Sequence, residues 1–419
     1  MSNKSGAITH DPIASAAARA LAAGHPLAAL NLVALRDDGP GLALRGIAIA
    51  QLGDLDMART LLRSAGRACG PRDELARARC DLAVAEIALV TRDLALMPET
   101  LQTTIGTLER YGDRLNVAHA RFIDARRLLL IGRTSAAEQV VATINPSPFP
   151  PALRAAYELV VAGIAIRRSH ATLAQAALDR AAREARRAGI ASLQAEVVTA
   201  LRVLREPAAR LIEGGRDGRL IRLAEVEEVR ESGAVIVDAC RFSVRNRSTS
   251  VSLAGRPVLF DLARALAEVW PDDVPRNTLI ERAFEMLIDA DEDRLRLRVE
   301  IGRLRTLLEP LASVIATKRG FALVPRTQYV AGRVVLIEPP VEEKHSDVIA
   351  LLADGEAWSS SALALALNVG QRTVQRSLEE LAAPGRVQSI GRGRACRWTA
   401  SPIIGFATTL LLPGTLPGE

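Results

Sequence analysis

The sequence predicts a mainly α protein, with an N-terminal α-solenoid followed by two smaller α+β modules. Three observations point there. Hydrophobic residues make up 49% of the chain but Phe, Trp and Tyr only 3%, so the core is aliphatic and alanine-rich, as helices favour. Small residues recur at helical spacing through the first half. Val- and Ile-rich runs with period-two character first gather after residue 213. At 419 residues the chain has room for two or three domains.

The helical half spans residues 12–212. Gly46, Ile49, Gly53, Ala58, Leu62 and Ala65 fall where one helix can lay a small-residue face against the next. The same offsets return as Gly24, Ala29 and Val33, then as Ala125, Leu128, Gly132, Ala137 and Val141, then as Ala162, Ala165, Ala174, Leu178 and Ala181. A further, degenerate pair fills Leu82 to Arg110, with Pro98 opening its second helix. This pattern resembles the tetratricopeptide repeat, which implies pairs of helices stacked into an array with a concave face. Such an array holds a peptide, a protein partner or a second copy of itself.

EGGRDG, residues 213–218, breaks the helical run. Leu220–Val226, Val235–Val244 and Ser250–Leu253 then read as strands of a small antiparallel sheet. Helices follow over Pro257–Val269, Pro275–Met286 and Asp291–Leu308, and Ser313–Val324 reads as a hairpin. In the last helix Leu297, Ile301, Leu304 and Leu308 make one apolar stripe. Arg294, Arg296, Arg298, Arg303 and Arg305 lie off that stripe. A helix anchored by one face and carrying guanidinium groups elsewhere can enter the major groove of a duplex.

The stretches VEIGRLRTLLEP and IATKRGFALVP, with the order of elements around them, resemble the OmpR/PhoB-type winged-helix domain over residues 219–330. The resemblance implies that the former lies in a recognition helix and the latter in a wing. It implies base or phosphate contacts from Arg296, Arg303 and Arg305, and backbone or minor-groove contacts from Thr317, Lys318 and Arg319. Two departures stand out: Glu300 sits mid-helix, and the wing is about two residues shorter than the usual form.

After a break at Glu338, Pro339 and Pro340, residues 345–400 form the last module. SSSALALALNVGQRTVQRSLEELAA reads as helix, turn and helix. Val374, Leu378 and Leu381 face inward, and Arg372, Thr373, Gln375, Arg376 and Glu379 lie away from them. QRTVQRSLEEL resembles the recognition helix of DeoR-like winged-helix repressors. VQSIGRGRACRW then reads as a basic wing presenting Arg392 and Arg394. Residues 401–419 are an apolar tail, too short and too Pro-bounded to span a bilayer, and it is expected to pack on a neighbouring domain.

The net charge of +6 is unevenly spread. Residues 291–326 hold eight basic and five acidic residues, and residues 372–398 six and two, so the rest of the chain is close to neutral. Positive charge therefore sits where a nucleic-acid surface needs it. Cys69, Cys80, Cys240 and Cys396 form no C-x-x-C pair, which speaks against a zinc site or a disulfide framework and for a reducing cytoplasm. His10, His25, His119, His170 and His345 are scattered, and no nucleophile, phosphate-loop or metalloprotease motif is present. Asp289, Asp291, Glu292 and Asp293 answer a helix dipole better than they make a cation site. Trp270, Trp358 and Trp398 are isolated and read as structural.

The expectation is a cytoplasmic bacterial transcription regulator that binds double-stranded DNA, with a protein or peptide partner or a homodimer contact on its helical array. No cofactor, enzymatic activity or membrane association is expected. The alternative is a scaffold whose repeats and winged helices dock proteins without reading DNA.

Overall fold

The computed structural model describes residues 11–70, 73–90, 97–130, 133–284, 290–326, 332–340, 345–352, 358–367, 369–383, 385–391, 393 and 396–400. The chain is mainly helical, with a mixed sheet in its C-terminal half. It divides into two compact units, one of residues 11–164 and 176–200 and the other of residues 165–175 and 201–400. The tail 401–419, together with His10, Asp289, Arg392 and Arg394, lies outside the described residues.

The first unit is built on α1 (Pro12–Ala22), α2 (Pro26–Val33), α3 (Gly39–Gln51), α4 (Leu55–Ala68), α5 (Glu74–Val90), α6 (Met97–Arg110), α7 (Arg114–Leu130) and α8 (Thr134–Ala142). Helices α9 (Pro151–Arg167), α10 (Ala171–Ala188) and α11 (Ala191–Val203) follow. From α1 to α8 each helix packs on the next, and α1, α3, α5 and α7 also pack in succession. Aspartates start several of them: Asp11 accepts from the Ile13 and Ala14 amides, Asp38 from Gly41 and Asp54 from Met57, each at 3.0 Å. Arg36 ties two of these caps together by binding both Asp11 and Asp38.

Many residues of the predicted offsets lie where helices pack, whereas Gly24 and Gly53 sit in exposed turns with nothing packed against them. Ala29, Val33, Ala58, Leu62, Ala65, Ala125, Ala137, Ala162, Ala174, Leu178 and Ala181 are all buried. A Cβ on Gly46 would stand 2.9 Å from Leu62 Cγ, so glycine sets the approach of α3 to α4. The first unit also buries charge, with Arg126 on α7 paired to Glu196 on α11 at 3.2 Å.

The second unit opens with β1 (Pro207–Glu213) and β2 (Arg219–Arg222). Then come α12 (Leu223–Glu231), β3 (Val235–Asp238), β4 (Ser243–Arg245), β5 (Ser250–Ser252) and α13 (Pro257–Glu268). After β6 (Val274–Pro275), α14 (Arg276–Ala283), α15 (Ala290–Leu308), β7 (Ala312–Ala316), β8 (Gly320–Pro325) and β9 (Val334–Glu338), α16 (Ser346–Leu352) follows. The last described elements are α17 (Ser360–Leu367), α18 (Gln371–Ala382), β10 (Val387–Ile390) and β11 (Arg397–Ala400).

Four expectations are corrected here. Residues 207–212, placed in the helical half, form most of β1: Pro207 cannot continue a helix, and Ala209 and Leu211 alternate inward. Leu220–Val226 is a strand only to Arg222. Glu225 accepts the Arg222 amide at 3.0 Å and starts α12, which buries Leu223, Val226 and Val229. The sheet is larger than a small antiparallel one, running β2-β1-β9-β3-β4-β5 with β3 parallel to β9, so the module reaches from β1 to β9 rather than over 219–330 alone. Its faces are covered differently, by α12 over Leu211, Ile236 and Ile337 and by α13 over Val237 and Leu336. Finally, Pro339 and Pro340 do not separate independent cores. Val348, Leu351, Leu363, Val374, Leu378 and Val387 belong to the same apolar cluster as Leu262, Leu297, Ile301 and Leu304.

Candidate nucleic-acid interface

Helix α15 is anchored as its periodicity requires. Leu297, Ile301, Leu304 and Leu308 are at most 2% exposed and seat it on α13 and α14. Arg294, Arg296, Arg298, Arg303 and Arg305 are all exposed. Several are nonetheless directed by neighbours. Arg296 lies over the Phe284 ring at 4.3 Å. Arg303 pairs with Glu300 at 2.7 Å, which offsets the charge of that carboxylate. Arg305 donates Nε to the Val314 carbonyl at 2.7 Å and lies over Phe321. Arg298 makes no ion pair or hydrogen bond among the described residues.

The predicted hairpin stands beside this helix. Strands β7 and β8 pair antiparallel from Ala312↔Pro325 to Ala316↔Phe321, and β6 adds a third strand through Val274↔Phe321. Thr317 closes the tip, its amide donating to the Gly320 carbonyl at 2.9 Å and its Oγ1 accepting the Gly320 amide at 2.8 Å. A Cβ on Gly320 would lie 1.7 Å from the Val274 carbonyl oxygen, so only glycine lets β6 join there. Lys318 and Arg319 are exposed at the tip. Thr317 is turned inward instead, its hydroxyl donating to Asp273, which also lies 3.6 Å from Arg319. Its side chain therefore serves the turn rather than an outside surface.

Two basic residues here escaped the sequence reading. Arg276 on α14 donates to the carbonyls of Thr317 and Lys318, each at 3.1 Å, and its guanidinium lies over the Phe321 ring at 5.4 Å. Arg256, which precedes α13, lines a cleft of about 670 Å³ together with Arg303, Pro257, Val258 and Leu307. The signal was available for Arg256, since an arginine precedes a Pro-started helix. For Arg276 nothing local distinguished it.

Helix α18 repeats the design. Val374, Leu378 and Leu381 are buried, joined by Ser377, whose hydroxyl donates to the Thr373 carbonyl at 3.0 Å. Arg372, Thr373, Gln375, Arg376 and Glu379 are exposed. Arg376 lies 3.7 Å from Glu380, a contact that is 72% open on the arginine side and easily given up. Strands β10 and β11 pair from Val387↔Ala400 to Ile390↔Arg397. Trp358 and Trp398 exchange backbone hydrogen bonds at 2.8 and 2.6 Å, fixing the segment before α17 to β11, and both side chains pack against the apolar core.

Other reactive residue types are packed away or dispersed. His119 is fully buried 3.5 Å from Glu86, and His345 contacts Glu380 at 2.9 Å. Burial pushes the Cys80 thiol up to about 12. Asp293 is buried, and among the described residues no His, Cys, Asp and Glu group is arranged to hold a metal ion. Nor is any described helix long and apolar enough to cross a membrane.

Comparison of the chain with protein-family models, with curated proteins and with solved structures finds no match. The described residues present exposed guanidinium groups on two helices, each beside a hairpin, over one continuous core.

Proposed function

We propose that the chain is a transcription regulator that binds double-stranded DNA through α15 and α18, acting as the recognition helices of two winged-helix modules. The observation that carries the reading is that both helices bury one apolar stripe and leave every arginine of the pattern exposed. Lys318 and Arg319 add positive charge at the tip of the neighbouring hairpin. An anchored helix of this kind fits a major groove, and guanidinium groups on its sides reach phosphate and guanine. The shared core sets the spacing of the two helices, so the preferred site is composite and of fixed spacing, rather than two sites joined by a tether.

The helical unit is the regulatory arm in this reading. Its paired helices with small-residue contacts support a tetratricopeptide-like solenoid that takes a protein or peptide partner or a second copy of the chain.

Selection from a random duplex pool tests the proposal. One enriched sequence family is expected, and Arg372→Ala or Arg376→Ala lowers affinity for it by roughly 1 to 3 kcal/mol where the residue makes a bidentate base contact. A pool that emerges unenriched favours the protein scaffold instead.

A further inference from the structure

The side of α15 opposite its buried stripe is not basic. With 3.6 residues per turn, Leu295, Val299, Gly302 and Thr306 share the outward line, while Arg298 and Arg305 fall on one flank and Arg296 and Arg303 on the other. Leu295 is 63% and Val299 48% exposed, one helical turn apart, and nothing stands within 4 Å of where a Gly302 side chain would begin. Single exposed apolar residues are ordinary. Two in line, over an open glycine and fenced by arginines on both sides, make a surface with a chemistry of its own.

Three flanking arginines are already oriented sideways: Arg296 over Phe284, Arg303 to Glu300 and Arg305 to Val314. None of them stands on the outward line, so guanine readout by arginine is not what the centre of this helix offers. Resting on the DNA-binding reading above, we infer that α15 reads thymine. Leu295 and Val299 meet the C5-methyl groups that A·T pairs present in the major groove, and the flanking arginines grip the phosphates on either wall. The dimensions agree, since a helix with side chains is about 10 to 12 Å across and the groove about 12 Å wide. The charge agrees too: Arg298 and Arg305 stand on one side of the strip and Arg296 on the other, where Glu300 is paired to Arg303, so that cations flank it as phosphates flank a methyl-lined floor.

The test uses the full chain and a duplex selected by it, with each thymine replaced in turn by uracil, which removes only the methyl group. At the positions facing α15, binding falls about four-fold per methyl. Leu295→Ala and Val299→Ala, at exposed positions that leave the core intact, abolish this uracil effect while the salt dependence of binding is unchanged. Arg298→Ala does the opposite, reducing the salt dependence and keeping the uracil effect. Salt-dependent duplex binding with no uracil effect overturns the thymine assignment and leaves DNA binding standing. Absence of salt-dependent binding overturns both. Loss of a protein partner in the Leu295→Ala and Val299→Ala variants, with DNA binding unaltered, also overturns the assignment and makes the strip a protein-docking face.

Discussion

Arg305 on α15 donates its Nε to the backbone carbonyl of Val314 on β7 at 2.7 Å while its guanidinium lies over Phe321 on β8. One side chain thus fixes the hairpin against the helix. Arg305→Ala leaves that carbonyl without its charged donor and removes the stacking, at a cost of about 1 to 2 kcal/mol. Arg305→Lys does not restore it, since an ammonium cannot donate and stack as a plane. Chemical denaturation of the three proteins measures both effects, and wild-type stability in Arg305→Ala would refute the coupling.

The junction of α1, α2 and α3 carries a pH-dependent term. The Arg36 guanidinium holds the Asp38 carboxyl below the usual carboxylate range. The Asp11 carboxyl is lowered first by the Ala14 amide and then by Arg36. A carboxyl lowered on folding stabilises above its unfolded pKa, and that contribution disappears as pH falls through the folded value. Arg36→Ala should lower Tm by a few degrees at pH 7, and the gap to wild type should narrow as the solution becomes acid. A gap independent of pH would mean that Arg36 acts through packing alone.

Periodicity made some of this molecule legible and tertiary context concealed the rest. The stripes Leu297–Ile301–Leu304–Leu308 and Val374–Leu378–Leu381 announce α15 and α18 because each helix buries a single face. The hairpins follow from Val- and Ile-rich runs around a short polar tip. Strand β9 could not be paired from sequence, since its parallel partner β3 lies about a hundred residues earlier and parallel pairing leaves no local turn signal. Residues 223–226, the first turn of α12, read as strand because Ile221 and Leu223 alternate, whereas the Glu225 cap decides the matter. The arginines of α15 were found by position, but their directions were not: Phe284, Glu300 and Phe321 select them, and long side chains choose among neighbours that only the fold supplies.

In the helical unit, Arg126 and Glu196 are 6% and 1% exposed and pair at 3.2 Å. Removing one partner takes away the other's ion pair in a site closed to water. Glu196→Ala is expected to cost about 3 to 5 kcal/mol, whereas replacing both by apolar residues of similar volume is close to neutral. Unfolding curves of the single and double variants compare directly, and equal losses in both would show that the site is held by packing.

The hairpin tip depends on Gly320. A Cβ there collides with the Val274 carbonyl, so Gly320→Ala separates β6 from β8 and costs roughly 3 kcal/mol or more. Amide exchange at Phe321, whose neighbours include that strand pair, reports the opening, and unchanged protection would contradict it.

Salt dependence of duplex binding reaches the central claim most directly. If α15 and α18 face phosphates, log K falls linearly with log salt, with a slope near −0.9 for each phosphate neutralised, and Arg298→Ala and Arg372→Ala each make it shallower by about 0.9. A flat line, or slopes untouched by both substitutions, would contradict the assignment of these helices to DNA.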